Sequence, residues 1–294
     1  LKETLLAVKD LCERRPDAGV ACAMKNAGIG VGLPDVGRVR LKVEGGRAVI
    51  YTSAACMGQG LASVLQQFVA EITGLSWGQI AVAPPDTSNS PNSGTTTASR
   101  QTLFTGEAAC RAATDLKKDL AAASLAELEG KEYYAEFSGV TDPFASDKPN
   151  PVSHVAYSYA THVVLLDEAG MLEKVVAAHD VGRAINPVQV EAQIEGGVVM
   201  GLGFGLTEDF PLKDGEPQVK YGTLGLFKDS KVPPIEPVII EKNPDPKAFG
   251  AKGLGEIATI PTAPAVAGAY FNRDGQFRTE LPLAGTPYSR KRKE

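Results

Sequence analysis

Four segments rich in glycine, hydroxyl or amide side chains hold the residues whose types and spacing suit chemistry. In the first, Gly58-Gln59-Gly60 stands directly before an apolar pattern that predicts a helix from Leu61. Glycines let a backbone approach a ligand closely, helix N-termini offer unpaired N–H groups to anions, and a glutamine amide both donates and accepts hydrogen bonds. The segment predicts either an anion-binding turn or a tight connection between a strand and a helix.

The second segment, residues 86–106, is dense in hydroxyl and amide side chains and contains one base, Arg100. Donors of this kind, with one guanidinium, suit a phosphate and a polar heterocycle. A flexible Ser/Thr linker has a similar composition. However, Leu103 and Phe104 lead directly into an Ala-rich helix that we predict over residues 106–129. Composition alone leaves both interpretations open.

The third segment runs from Asp180 to Gly197. Asn186-Pro187 is a typical helix start, and Gln193 would lie one to two turns inside that helix. Glycines recur from Gly196 to Gly205, which disfavours a helix by propensity and instead favours close packing against another backbone or a flat ligand. The glycine spacing is not that of a dinucleotide-binding fingerprint.

The fourth segment, Gly250-Ala251-Lys252-Gly253-Leu254-Gly255-Glu256, ends a loop of small residues with a carboxylate. It lacks the Lys-Ser or Lys-Thr pair of a phosphate-binding loop. Apolar Ile257, Ala258 and Ile260 follow, so we expect an apolar setting that strengthens the affinity of the carboxylate for a proton and prepares it as a general base. The alternative is a surface glutamate that opens a helix.

Composition excludes several classes of protein. The 294 residues are 43% hydrophobic and 22% charged, which is typical of a globular protein of roughly two domains. The net charge of −5 gives no global field that favours nucleic acid, and the basic residues 290–293 are expected to be a solvated end. No run reaches the ~18 apolar residues of a membrane span. The N-terminus lacks the layout of a secretory signal. The spacing of the four cysteines does not indicate disulfides, so we expect a reducing, cytoplasmic location.

Candidate metal ligands are few and scattered. The four cysteines (Cys12, Cys22, Cys56 and Cys110) have no C-x-x-C spacing, and there are three histidines. A disulfide scaffold, or a zinc or iron–sulfur site made by this chain, is therefore not expected. Metal chemistry would need a bound cofactor to supply most of the ligands.

Periodic patterns predict the elements of a first lobe. Apolar residues at helical spacing predict a helix over Leu1–Arg15, ended by Pro16. Strict alternation around a Glu-Gly-Gly turn predicts a β-hairpin over residues 39–52. Apolar residues from Leu61 to Ile72 predict an amphipathic helix that ends at Gly74.

The same order recurs in the second half of the chain. A second hairpin is predicted over residues 160–178, followed by a loop and a helix over Val188–Leu206. Because hairpin, loop and helix occur twice, we predict an α+β fold of two related lobes, each a mixed sheet with packed helices, and assign them to residues 1–150 and 151–294.

Taken together and in this order, the four segments resemble the C-terminal half of the molybdenum-binding subunit of the xanthine dehydrogenase/aldehyde oxidase family. The similarity runs from about Ala21 to Leu283. Residues 156–187 and 250–268 are most similar to bacterial members described as selenium-dependent or xanthine-dehydrogenase-like. The resemblance depends on four sequence elements: G-Q-G, S-G-T-T-T-A-S-R, D-V-G-R-x-I-N-P…Q-I-E-G-G and G-x-K-G-x-G-E. Each element alone is only modestly specific for the family, but their combination is highly specific.

The resemblance implies a role for each segment. Glu256 matches the family's catalytic glutamate, which takes a proton from a hydroxyl that the metal has made acidic. The pterin dithiolene holds the metal, so no residue of this chain is expected to bind it. Contacts to a molybdenum–molybdopterin cofactor, in its cytosine dinucleotide form, are implied at Gly58, Gln59, Gly60, Thr97, Ser99, Arg100, Gln193, Lys252, Gly253 and Gly255.

The implied activity is hydroxylation of a purine or another N-heterocycle with oxygen from water, and aldehyde oxidation is the alternative within the family. The family's N-terminal half is not in this sequence, so we expect that half, iron–sulfur clusters and FAD on partner chains. Ala27 stands where many hydroxylases have a large aromatic residue, which leaves the substrate open. The other hypotheses are a non-catalytic cofactor-binding or assembly module, and a plain α+β interaction protein.

Overall fold

The computed structural model describes residues 1–243 and 245–289, so the predicted basic tail at 290–293 lies outside the described residues. Within them, two four-stranded sheets are covered by five α-helices. The helices are α1 (Lys2–Arg14), α2 (Leu61–Thr73), α3 (Gln101–Leu120), α4 (Pro187–Leu206) and α5 (Thr262–Asp274). The strands are β1 (Gly19–Ala27), β2 (Val36–Glu44), β3 (Arg47–Tyr51), β4 (Ile80–Val82), β5 (Glu132–Ser138), β6 (Ala156–Leu166), β7 (Leu172–Asp180), the short ribbon of β8 (Leu212–Lys213) and β9 (Glu216–Pro217), and β10 (Ile235–Ile240).

The first sheet, in the order β4-β3-β2-β5, has one face covered by α2 and α3. Its β2–β3 pair is the predicted antiparallel hairpin, and β4 lies parallel to β3. Val39, Leu41 and Val43 are buried and alternate with half-exposed residues, as expected for a sheet with one covered face. They form a hydrophobic core with Phe68 of α2 and Phe104 of α3.

Helix α3 differs from its predicted range of 106–129, because it begins at Gln101 and ends at Leu120. Gly106 lies inside the helix, where a Cβ would be 2.6 Å from the ring of Phe68, so glycine lets α2 and α3 pack closely. After the helix, Ser124 and Glu127 cap each other in a turn. The composition after residue 120 is helix-like, but these capping bonds satisfy the backbone without a helix.

The second sheet, in the order β1-β6-β7-β10, is covered on both faces. Its β6–β7 pair is the predicted hairpin, and β10 runs parallel to β7. Val163 and Val176 pack toward α1, whereas Val164 and Val175 pack toward α4 and α5. Burial on both faces explains why these strands are nearly continuous apolar runs. The predicted α+β class is confirmed, as are the helices near residues 1–15, 61–72 and 188–206.

The predicted lobe boundaries need one correction. Strand β1 pairs antiparallel with β6, with Ala23 opposite Ala160, and α1 packs against the same sheet. Residues 2–27 therefore belong to the second sheet rather than to a lobe of residues 1–150. The pattern did not indicate β1 because it is an edge strand whose larger side chains, Val20 and Met24, are exposed. None of the helices in the described part of the chain combines the length and the apolar content that a membrane span requires.

Candidate functional site

All four segments border one cavity of about 640 Å³, formed between helices of the two sheets. Its volume is in the range of small-molecule and cofactor sites. Gly60 is the one predicted site residue that does not line the cavity. Those that do are Gly58, Gln59, Thr97, Ser99, Arg100, Gln193, Lys252, Gly253, Gly255 and Glu256.

Three helix N-termini converge on this cavity, those of α2 at Leu61, α3 at Gln101 and α4 next to Asn186. The first turns of these three helices, all within the described residues, contain no acidic side chain. The partial positive charge at each terminus is therefore not neutralised from within its own helix. Convergent termini of this kind are suited to an anionic group such as a phosphate.

The loop before α2 is braced by its own glutamine. Oε1 of Gln59 accepts a hydrogen bond from the Met57 N–H at 2.6 Å, and its Nε2 donates to the Ala55 carbonyl at 3.0 Å. Gly60 has a left-handed φ of +81°, and a Cβ there would overlap the side chain of Gln189 on α4. Gly60 thus holds the loop against α4 rather than facing the cavity.

Backbone N–H groups at the start of α2 also surround the Cys56 thiol. Burial raises the pKa of the Cys56 thiol, but the backbone N–H groups of Gly58, Ala62, Gly60 and Leu61 lower it by more, so that the pKa of Cys56 lies below its ordinary value. Stabilisation of a thiolate at a helix N-terminus is the same effect that binds an anion there.

The second and fourth segments are in contact through Ser99. Ala98 and Ser99 have left-handed φ values of +49° and +50°, which are uncommon for residues other than glycine. A Cβ on Gly253 would overlap the carbonyl oxygen of Ser99, so only glycine fits at that position. The Glu256 N–H donates to the Ser99 hydroxyl at 3.2 Å, which joins the two loops at the cavity wall.

The predicted apolar setting of Glu256 is wrong. Its side chain is 43% exposed, and its Oε2 lies 2.8 Å from Nζ of Lys25 and accepts a hydrogen bond from the Ser99 hydroxyl at 3.0 Å. Ile257 and Ala258 are buried, and the turn that buries them directs Glu256 outward. The carboxylate therefore stands at the cavity rim between a cation and a hydroxyl.

The guanidinium of Arg100 does not face the cavity. The side chain is 1% exposed, and its Nε donates to Oδ1 of Asp35 at 2.5 Å. Its other nitrogens donate to the carbonyls of Ser93 and Val36, at 2.6 and 2.7 Å. Because a buried charge needs a partner, the cation is committed to the interior, and the predicted cofactor contact by its guanidinium is corrected to a structural role.

Lys252 requires a similar correction. Its Nζ lies 2.9 Å from Oδ2 of Asp180, and both side chains are buried. Oδ1 of Asp180 accepts from the Gly182 N–H at 3.0 Å, and the Lys252 N–H donates to the Val181 carbonyl at 2.9 Å. The ammonium thus ties the fourth segment to the third, and only the remainder of Lys252 borders the cavity.

Arg183, Gln189 and Lys25 are polar residues of the site that the sequence analysis did not identify. Arg183 is exposed at the cavity, and its guanidinium has no ion-pair partner among the described residues. Gln189 also lines the cavity, and its Oε1 is buried without a hydrogen-bond partner within the described chain. Gln189 was detectable because it lies one turn before Gln193 on the same helix. Lys25 could not be detected from the sequence, because the strand that carries it was not predicted.

The cavity therefore combines convergent N–H groups, an exposed guanidinium, an unpaired amide oxygen and hydroxyls, with a carboxylate at its rim. These groups suit a ligand with an anionic part and a polar heterocyclic part. The model of one protein family, the molybdopterin cofactor-binding domain, matches residues 12–137 and 121–226.

Curated relatives agree with this match. A probable xanthine dehydrogenase subunit of Bacillus subtilis (strain 168) is 28% identical over 90% of this chain and 40% of its own length. The gamma subunit of the 6-hydroxypseudooxynicotine dehydrogenase complex of Paenarthrobacter nicotinovorans is 29% identical over 92% of this chain and 39% of its own length. The chain spans about two fifths of the length of these relatives.

The same fold occurs in a solved structure, the aldehyde oxidoreductase from Desulfovibrio desulfuricans ATCC 27774. The two superpose with a TM-score of 0.77 and 24% identity, over 92% of this chain and 33% of the other. The matching regions include the first three of the four segments in the family model and nearly the whole chain in the relatives. The chain therefore belongs to the molybdopterin cofactor-binding domain family.

Proposed function

We propose that this chain is the C-terminal, cofactor-binding half of the molybdenum subunit of a hydroxylase, with Glu256 as its general base. The position oxidised is an electron-poor carbon of a purine or another N-heterocycle. The observation that carries the proposal is that four segments distant in sequence border one cavity, with the carboxylate of Glu256 at its rim.

The residues of the cavity suit a molybdenum–molybdopterin cofactor, and the form that we propose is the cytosine dinucleotide. The unpaired Oε1 of Gln189 and the amide of Gln193 would bind the pterin, and the hydroxyl of Thr97 would support it. Arg183 and the N-terminus of α3 would hold the phosphates. When bound, the cofactor supplies the two-electron oxidising centre of the reaction.

Glu256 would accept its proton at Oε1. The contacts to Lys25 and Ser99 both involve Oε2, so they hold the side chain in one orientation and leave Oε1 for the reacting group. The Lys25 ammonium, 2.8 Å from Oε2, and the Ser99 hydroxyl, 3.0 Å from the same oxygen, fix the position of the carboxylate at the cavity rim. The role of Lys25 and Ser99 is therefore to orient the base.

The names of similar proteins support two classes of substrate. The relative named for xanthine supports a purine. The solved structure named for aldehydes is the reason to keep aldehyde oxidation as the second candidate. Ala27 is fully buried and does not line the cavity, so the position expected to clamp a flat substrate provides no aromatic ring.

Partner chains are part of the proposal. The remaining part of the molybdenum subunit would complete the cofactor site, and iron–sulfur and FAD-containing subunits would carry the electrons away. A relative named as the gamma subunit of a dehydrogenase complex supports such an assembly. The cytoplasmic location stays a prediction.

The experiment is the Glu256→Gln variant of the enzyme purified with its partners. We expect turnover to fall by ~10²–10⁴-fold while molybdenum and pterin contents stay at wild-type levels, because only the general base is removed. Glu132→Gln is the matched control: Glu132 is 44% exposed and paired with Arg40 and Lys42, but lies on the first sheet, and its variant should keep full activity.

Each alternative has its own outcome. Wild-type turnover of Glu256→Gln would remove the residue from the mechanism. A wild-type protein that holds molybdenum and pterin but oxidises neither heterocycles nor aldehydes would be a cofactor-binding or assembly module. A protein that contains neither molybdenum nor pterin would contradict the proposal as a whole.

A further inference from the structure

From Gly196 to Leu206, helix α4 is apolar around its whole circumference. Its charged residues are Glu191 and Glu195, and residues 196–206 contain no polar side chain. A helix that is hydrophobic on all sides is normally buried on all sides. Here one face packs into the core of the second sheet, with Ile194, Val198 and Leu202 fully buried, and the opposite face is exposed.

The exposed face carries a continuous row of apolar residues at a spacing of four. Val188, Met200 and Phe204 are 74%, 65% and 58% exposed, and exposed Ala192 and Gly196 lie between them. A Cβ on Gly196 would meet no atom within 4 Å, so the middle of the row is an open depression. Rows of this spacing are those through which helices most often pack. We call these five residues the α4 ridge.

The α4 ridge lies beside the cavity. Gln189 and Gln193, on the same helix, line the cavity wall. A chain that covered the ridge would therefore also stand at the edge of the cofactor site. On the other side of the ridge, Glu191 and Glu195 are exposed, and neither carboxylate has an ion-pair partner among the described residues.

Charge argues against a second copy of this chain on the ridge. Two α4 helices crossing at Gly196 around a two-fold axis would bring the two copies of Glu195 close together. Helix α4 contains no lysine or arginine that could offset the repulsion between these two carboxylates. Like charges at such a contact are unfavourable, so the ridge favours a partner that brings its own cations.

We infer that the α4 ridge is the docking surface for the part of the molybdenum subunit that lies outside this chain. This inference rests on the proposed function. The chain spans 40% of the probable xanthine dehydrogenase subunit and 33% of the aldehyde oxidoreductase, so most of such a subunit remains to be packed against it. The surface requires a partner face with a large apolar side chain over Gly196 and lysine or arginine opposite Glu191 and Glu195.

The test uses two glycines with open space above them. In Gly196→Glu, the new side chain would fill the depression that the partner's large apolar side chain occupies, so we expect the assembled enzyme to contain at least about tenfold less of the polypeptide that carries the rest of the molybdenum subunit. Gly78→Glu is the matched control, since a Cβ there also meets nothing within 4 Å, and should assemble like wild type. Neither isolated variant should melt below the wild-type temperature, because neither new side chain meets a clash and glycine is a poor helix former.

Companion polypeptide is quantified by mass spectrometry after purification through a tag on this chain. As a second readout, Met200 should be protected from peroxide oxidation in the assembled enzyme but not in the isolated chain. Normal assembly of Gly196→Glu, or equal oxidation of Met200 in both forms, would overturn the inference. A wild-type isolated chain that is a dimer, and becomes a monomer in Gly196→Glu, would assign the ridge to a second copy instead.

Failure of the proposed function would look different. An assembled particle without molybdenum or pterin would contradict the cofactor assignment, whatever the two glycine variants do. Loss of the companion polypeptide in Gly196→Glu alone would still identify the α4 ridge as its docking surface.

Discussion

The carbonyl oxygen of Ser99 occupies the position where a side chain at Gly253 would begin. Ser99 precedes α3 of the first sheet, whereas Gly253 lies in the loop that leads to Glu256 and is held to the second sheet by the Ser158 hydroxyl, which donates to the Gly253 carbonyl at 2.7 Å. One close backbone contact therefore joins the two halves of the molecule beside the cavity.

Gly253→Ala should destabilise the isolated chain. The new methyl group would overlap backbone, which cannot move away as a side chain does, so we expect a loss of about 1–3 kcal/mol in the free energy of unfolding. Gly255→Ala is the control, because its Cβ would be 3.9 Å from the nearest atom, the Ser99 hydroxyl oxygen. Urea denaturation of both variants measures the difference, and equal stabilities would show that the contact is not tight.

Arg100→Met should lower the stability of the chain, whereas Arg183→Met should lower its affinity for the cofactor. The first leaves Asp35 buried and unpaired, so we expect a loss of about 3–5 kcal/mol in the isolated chain, even without any cofactor. The second removes an exposed cation that lies 5.6 Å from the centre of the Phe249 ring, so the free energy of unfolding should fall by no more than about 1 kcal/mol, while less molybdenum and pterin remain bound after gel filtration. If Arg100→Met kept its stability and lost only the cofactor, the structural role of Arg100 would be wrong.

The buried pair of His162 and His179 predicts acid sensitivity. Their Nε2 atoms are 2.8 Å apart, and Nδ1 of His162 is 3.0 Å from the Thr262 hydroxyl. Burial lowers the pKa of His179 to about 3, and burial together with the neighbouring His179 lowers the pKa of His162 well below its ordinary value. Both rings are therefore neutral in the folded protein at neutral pH.

The sign of the effect follows from proton binding. Below the unfolded-state pKa of about 6.5, the unfolded chain binds protons that the folded chain excludes. The free energy of unfolding therefore decreases as the pH is lowered, by up to about 1.4 kcal/mol per pH unit for each histidine. The fall continues down to the folded pKa, which for His179 is about 3. Urea denaturation at several pH values should show a smaller fall for His179→Gln, which retains a donor but cannot titrate. An unchanged fall would assign the acid sensitivity to other groups.

Local patterns predicted much of the fold. The β2–β3 hairpin, the end of α2 at Gly74 and the start of α4 at Asn186-Pro187 all depend on residues within a few positions of one another. Strand β1 was not predicted, because an edge strand with small and exposed residues carries little periodic signal.

The amino-acid sequence by itself determined the α+β class, four of the five described α-helices, the two hairpins and the four segments that border the cavity. Tertiary structure alone decided which of their charges reach the cavity: Arg100 and Lys252 are held by Asp35 and Asp180, whereas Arg183 is exposed. The physical reason is that hydrophobic periodicity depends on residues close together in the sequence. A buried charge must instead be paired to offset its desolvation, and its partner comes from a distant segment that only the packed structure brings near.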